Sequence, residues 1–389
     1  MISKNKIIYI IKHNQIIKAC YVFLGSLFFK FLGIFISIDN NVVLFVPNTG
    51  QTYSGSPRDI YEYMLTNKKY KDFNCIWAFD NPEKMANQFG LNVVKFDSFS
   101  YFITCLKAKY WIADINVERG LHFKKKGTIF LNTWHGVAMK KIGNDDSKSA
   151  RYDYSNLDFL CVSGEYDKNV FSSALNAPQS SFLECGMPRN DRLFKVTEDE
   201  VIELRKRLSI PNDKKVIVYV PTWRDSHDNG KTFGLSIQAD FEKWENVLQQ
   251  EYVLLFRAHS RTTNLMKIEF NDFIRDYSNY SDLNDLLIVA DILITDYSSV
   301  VFDYSILEKP FICFGYDYDL YTKERGFYFD PEVVFPNGVL KSEFEVLKKI
   351  DELNFHEECK KTKIIKEKFM DLSFGDATKV CVEKVFESK

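Results

Sequence analysis

From Asp39 onward, apolar runs of three to six residues, biased towards β-branched and aromatic side chains, alternate with longer segments of helical periodicity. The runs predict strands at Val42 to Val46, Asn74 to Phe79, Val93 to Phe96, Tyr110 to Ala113, Thr128 to Asn132, Phe159 to Val162 and Phe182 to Glu184. A second series follows at Val216 to Val220, Val253 to Arg257, Ile292 to Thr295 and Phe311 to Phe314. Strands separated by helices imply parallel sheets, so the fold class expected is α/β, with two doubly wound halves. The break between them falls in Lys195 to Asp213, where a charged helical run (Glu198 to Arg207) ends at Ile210-Pro211-Asn212-Asp213.

The first forty residues follow another pattern. From Ala19 to Ile38 the only charge is Lys30, and Lys4, Lys6, Lys12 and Lys18 precede it. Wound at about 100° per residue, Lys12, Gln15, Lys18, Ser26, Lys30 and Ser37 fall in one arc of roughly 120°. A lysine-bearing polar stripe on an apolar rod suits the interface of an anionic bilayer. The length also permits one marginal span, and a core helix packed on the rest of the protein is the alternative. A secretory signal fits less well, because no small-residue cleavage site follows Ile38.

A chain of 389 residues exceeds what one core usually supports. The expected division is a membrane-associating segment 1–39, a Rossmann-like domain 40–200 and a second Rossmann-like domain 201–389 with closing C-terminal helices. A net charge of -2 leaves no footprint for nucleic acid, so none is expected as a partner. The eight cysteines show no C-x-x-C spacing and read as buried reduced thiols of a cytosolic protein, without a zinc site.

Candidate chemistry clusters where strands end. Asp291 to Tyr304 reads as a strand that breaks at Thr295-Asp296 into Ser298 and Ser299 at a helix start. Serines there either cradle a phosphate with the unpaired N–H groups of the first turn, or cap their own helix. His135 follows a strand and precedes Gly136, and a histidine so placed can accept a proton from a hydroxyl near neutral pH, although a lone histidine is more often structural. Arg257 and His259 stand two residues apart on one strand face, which suits a cationic clamp on a pyrophosphate. Ligands of open α/β sheets lie beyond the carboxyl ends of the strands, so the two halves are expected to share a cleft.

Several motifs carry a resemblance. They are Tyr53-Ser54-Gly55-Ser56-Pro57-Arg58, Thr133-Trp134-His135-Gly136 with Lys140-Lys141-Ile142-Gly143, Gly186-Met187-Pro188-Arg189-Asn190-Asp191, Pro221-Thr222-Trp223-Arg224, Thr295-Asp296-Tyr297-Ser298-Ser299 with Phe302-Asp303, and Asp317 through Tyr321 to Arg325-Gly326-Phe327. In this order they resemble the CDP-glycerol glycerophosphotransferase family, the teichoic acid and capsule polyol-phosphate transferases, over roughly Asn40 to Asp330. The resemblance implies a GT-B fold with the nucleotide donor bound mainly by the second domain. It also implies transfer of glycerol or ribitol phosphate from a CDP-polyol to a hydroxyl of a lipid-linked acceptor at the cytoplasmic face of the membrane.

On that basis His135 is expected as the general base, with CMP leaving, and His259 and Arg257 as the neutralisers of charge on the pyrophosphate. Thr222, Arg224, Ser298, Ser299, Asp303 and Arg325 are expected on the donor side, Asp303 towards the ribose. Ser56, Arg58 and Lys140 belong to the acceptor side. No Asp-x-Asp pair follows a strand, so no obligatory metal or other cofactor is expected. A GT-B glycosyltransferase using a nucleotide sugar, or a catalytically silent membrane-associated scaffold, are the competing readings.

Overall fold

The computed structural model describes residues 14–146, 153–222, 237–258 and 268–387. Among them are two open sheets in which every pairing is parallel. The first holds β1 (Asp39–Val46), β2 (Asn74–Phe79), β3 (Asn92–Lys95), β4 (Ala108–Ala113), β5 (Ile129–Asn132), β6 (Phe159–Val162) and β7 (Phe182–Glu184), in the order β3-β2-β1-β4-β5-β6-β7. The second holds β8 (Lys215–Val220), β9 (Tyr252–Phe256), β10 (Ile274–Asp276), β11 (Ile292–Thr295) and β12 (Phe311–Cys313), in the order β10-β9-β8-β11-β12. Both are Rossmann-like: the order reverses between β1 and β4, and again between β8 and β11. At a reversal the connections leave towards opposite faces, and a crevice opens beyond the strand ends.

The strands are continuous apolar runs because both faces of each sheet are covered. In β1, Val42, Leu44 and Val46 enter one buried cluster with Trp111 and Phe130, while Val43 and Phe45 enter another with Trp77 and Ile112. β10 was not anticipated. Its Ile274-Arg275-Asp276 carries one apolar side chain, and it owes its place to pairing with β9, Ile274 opposite Leu254.

Between the sheets, the helix Glu198–Arg207 starts on Thr197, whose hydroxyl accepts from the Glu200 N–H at 3.2 Å. Three acidic residues fill its first turn and three basic ones its last, which complements the helix dipole. The last helix, Ala377–Glu387, returns to the first sheet: Cys381, Val382 and Val385 join the core around Ile60 and Trp77. Asp191 fixes its start by accepting from the N–H groups of Ala377 and Thr378 at 2.9 and 2.8 Å. Here Cys161, Cys185 and Cys381 gather with their sulfurs within 4.8 Å of one another. All eight cysteines are free, but Cys20 is exposed and Cys75 and Cys359 are half-buried, so burial does not hold for the whole set.

The apolar N-terminal segment is a helix, Gln15–Phe35, begun by Asn14, which accepts from the Ile16 and Ile17 N–H groups. Its stretch Ile16–Phe35 is long and apolar enough to cross a membrane, with a mean hydropathy of 1.6. One side docks on the first sheet's helices. Gly25 and Gly33 admit Leu121 and Leu106 against the helix, and Phe29 stacks on Phe102 at 4.6 Å. The other side turns Phe23, Leu24, Leu27, Phe28, Phe31, Ile34 and Phe35 outward, with Phe35 72% exposed. The expected polar stripe is therefore broken. Ser26 is buried against the protein, its hydroxyl donating to the Val22 carbonyl and accepting from the His122 N–H, whereas Lys30 is exposed.

Candidate active site

At the reversal of the first sheet, β1 runs into Asn48 and Thr49, both at positive φ (37° and 53°), and β4 into Asp114. β5 runs through Thr133 into Trp134, also left-handed (φ 53°), whose N–H is held by the Asn132 side-chain oxygen at 2.8 Å. Such strained backbone persists only where the surroundings fix it, and here it delivers His135 into the crevice. The imidazole stacks on the buried Trp134 ring at 4.4 Å. Its Nδ1 lies 2.8 Å from the Asp114 carbonyl oxygen. A carbonyl only accepts, so Nδ1 carries the proton and Nε2 keeps its lone pair.

His135 keeps contact with solvent in the crevice, although protein surrounds it. That desolvation lowers its pKa below the ordinary 6.5, the Asp114 carbonyl opposing and the Arg189 charge adding to the effect. The neutral base is thus the form at pH 7. Beside it, burial raises the Asp114 carboxyl to about 6, against the Asn48 N–H donated to it at 2.8 Å.

In the second sheet, the Asp296 carboxylate ties the two strand ends at the reversal, accepting from Thr222 N–H at 2.8 Å and Tyr297 N–H at 2.7 Å. The helix that follows, Val300–Ser305, has only six residues. Ser298 caps it by accepting from the Val300 N–H at 3.3 Å, while Ser299 makes no capping bond and lies against Gly136. A Cβ at position 136 would stand 2.4 Å from the Ser299 hydroxyl, and its φ of 145° also calls for glycine, so Gly136 is what lets the halves close beside His135. Arg257, just past β9, is half-buried, and its buried Nη1 finds no hydrogen-bond partner among the described residues; desolvation lowers its pKa. A buried guanidinium nitrogen left unpaired is costly, and it marks a place where an anion is wanted.

These groups line one cleft of about 630 Å³ between the sheets. Of the expected site residues it collects His135, Arg58, Arg257, Ser298, Ser299 and Asp303. Ser56 is buried, its hydroxyl accepting from the Arg189 N–H at 3.3 Å. Thr222 lies two residues past β8, its N–H donated to Asp296. Lys140 and Arg325 lie apart, where the chain around Lys140 pairs antiparallel with Phe327 and Arg325 faces the Asp146 carboxylate at 3.8 Å. His259 and Arg224 lie outside the described residues.

Three cleft groups went unassigned in the sequence. Asn48 and Asp114 stand directly after apolar strands, a signal that could have found them. Arg189 belongs to a motif that was recognised without a role. Asp303 ties two residues of the first half: Arg189 donates to one oxygen at 2.7 Å and Asn190 to the other at 2.6 Å. Arg58 likewise crosses to the second half, donating to Asp282 at 2.7 Å.

Comparison with known proteins places this cleft in context. The family model for CDP-glycerol:poly(glycerophosphate) glycerophosphotransferase matches residues 28–387. A teichoic acid poly(glycerol phosphate) polymerase of Bacillus spizizenii is 30% identical over 98% of this chain and 99% of its own. A teichoic acid glycerol-phosphate transferase of Staphylococcus aureus is 32% identical over 90% of this chain and 94% of its own. Among solved structures, the wall teichoic acid polymerase TagF in a histidine variant soaked with CDPG superposes with a TM-score of 0.79 at 30% identity, covering 90% of this chain and 89% of that one.

Proposed function

The chain belongs to the CDP-glycerol:poly(glycerophosphate) glycerophosphotransferase family, a phosphotransferase moving a polyol phosphate from a CDP-polyol, and from that premise we propose how its cleft works and where it works. The donor is CDP-glycerol rather than CDP-ribitol, in keeping with the glycerol-phosphate chemistry of both relatives. The acceptor is a hydroxyl of a lipid-linked polyol-phosphate polymer, and the leaving group is CMP. The molecule is of GT-B type, with a first domain from residue 40 to about 200, rejoined by the last helix, and a donor domain between them. The expected donor domain of 201–389 is thereby redrawn, because Ala377–Glu387 packs in the first domain's core.

One observation carries the mechanism: a neutral histidine, its free Nε2 in the cleft, shares that cleft with Arg257, whose buried Nη1 has no hydrogen-bond partner among the described residues. The acceptor oxygen attacks the phosphorus that bears the glycerol while Nε2 of His135 takes its proton. The bond from that phosphorus to the bridging oxygen breaks, and the electron pair leaves on CMP. Arg257 and the Ser298-Ser299 turn hold the donor phosphates, with His259, Thr222 and Arg224 assigned to the same side. Arg58 and Ser56 shape the acceptor side. Asp303 anchors Arg189 and Asn190 through one bond to each oxygen, which leaves lone pairs for the ribose contact. Lys140 and Arg325 brace the halves. Cationic side chains, not a metal, meet the donor's charge.

The helix Gln15–Phe35 lays its outward phenylalanines and leucines into the cytoplasmic leaflet and so presents the cleft to an acceptor held in lipid. Acceptor-dependent CMP release tests the reading. With a lipid-linked glycerol-phosphate acceptor, CDP-glycerol yields CMP, and CDP-ribitol and UDP-glucose yield little. UDP release, or no release from any donor, would overturn it.

A further inference from the structure

We propose that Arg189 is a catalytic residue of the first domain, its guanidinium contacting an oxygen of the phosphoryl group in transit beside His135. The proposal rests on the phosphotransfer reading above and adds a residue to it.

Four arginines line the cleft among the described residues, and their partners sort them. Arg58 sits among three carboxylates, Asp282 at 2.7 Å, Asp59 at 3.4 Å and Glu62 at 3.7 Å. Arg192 is held between Glu200 and Asp285. Their charges are already met. Arg257, just past the end of β9 in the second domain, has an Nη1 with no hydrogen-bond partner among the described residues. Arg189 has one, Asp303, which Asn190 shares. Among the described groups only Nη2 of Arg189 is engaged, which leaves the rest of a five-donor fork for another acceptor.

Position completes the case. Nη2 stands 3.8 Å from where a Cβ on Gly136 would be, one residue from the base. The guanidinium is pre-aimed: its carboxylate partner is buried, its own backbone N–H is held by Ser56, and its carbonyl accepts from the Asn284 side chain at 2.6 Å. When the acceptor oxygen bonds to phosphorus and the bond to CMP breaks, the non-bridging oxygens need donors from both sides. Arg257 reaches them from the second domain. Arg189 is the cation the first domain can supply.

The test is kinetics of the full chain with CDP-glycerol and acceptor, alongside donor binding by calorimetry. Arg189→Gln should cut kcat by roughly 10²–10³, the cost of one lost transition-state donor, while the donor Kd moves by less than about threefold. Because Arg189 repels a proton on His135, the acid limb of the kcat/KM profile should move to higher pH in Arg189→Gln and stay in place in Arg189→Lys. The other groups bearing on that limb are the Asp114 carboxyl lining the cleft and Asp303 behind Arg189. Asp303→Asn, which keeps the arginine, should lose less turnover than Arg189→Gln. Unchanged kcat, an unmoved acid limb, or equal losses in Arg189→Gln and Asp303→Asn would overturn the assignment and leave Arg189 a strut between domains. If Arg189→Gln does not fold, an acid limb displaced in Arg189→Lys overturns it instead. Failure of the wild type to release CMP would strike the phosphotransfer reading, a separate result.

Discussion

A histidine lowered below its ordinary pKa works as a base over a wider range of pH. For His135 this predicts that kcat/KM is flat through neutrality and falls only as pH drops below 6.5, through the depressed pKa. A profile that falls already above pH 7 would contradict the neutral imidazole. Arg257→Gln should weaken CDP-glycerol binding about 10- to 100-fold, since a hydrogen bond to a charged group contributes about 1.5–3 kcal/mol, and calorimetry reads it directly. Asp167, fully buried, has its carboxyl raised to about 7, chiefly by desolvation, with the Ser163 N–H opposing. A folded pKa above the unfolded 3.8 means the group weighs against folding increasingly as pH climbs from 4 to 7. The melting temperature of Asp167→Asn relative to wild type should therefore be higher at pH 8 than at pH 5. At this scale the sequence showed what stands alone: a histidine after a strand, an arginine closing one. It could not show that Asp303 also holds Arg189 and Asn190, because those partners lie over a hundred positions away.

Elements were legible where burial is simple. Strands covered on both faces are unbroken apolar runs, and Phe159–Val162, Phe182–Glu184 and Ile292–Thr295 stand where periodicity put them. β10 was not legible, since an edge strand with one apolar residue draws its stability from its neighbour. The periodicity of Gln15–Phe35 discloses an apolar helix, but its polar stripe is not a solvent face, because a serine hydroxyl can bond its own preceding turn and be buried. Which face is left outward is thus set by docking, through Gly25, Phe29 and Gly33. Replacing Phe31 and Ile34 together by glutamate should abolish flotation with anionic vesicles. The melting temperature should change little, because surface substitutions usually stay within about 0.5 kcal/mol. Retained flotation would remove this face from membrane binding.

For the whole molecule, two reversals of strand order face one another, and each contributes what the other lacks. The first supplies a histidine and its orienting carbonyl, the second an arginine whose Nη1 has no hydrogen-bond partner among the described residues, with hydroxyls at a turn. The alternation of strands and helices disclosed two such halves; the return of the last helix to the first sheet it did not, since an amphipathic helix does not name the surface it covers. If side chains rather than a metal meet the donor's charge, as proposed, CMP release should persist in excess EDTA, and its loss with recovery on adding Mg²⁺ would call for a metal. The most direct test of the account is His135→Ala assayed for donor binding and turnover together. With His135 as the base, CDP-glycerol affinity should stay within about threefold of wild type and CMP release should fall by ~10²–10⁴; full turnover in that variant would remove His135 from the chemistry.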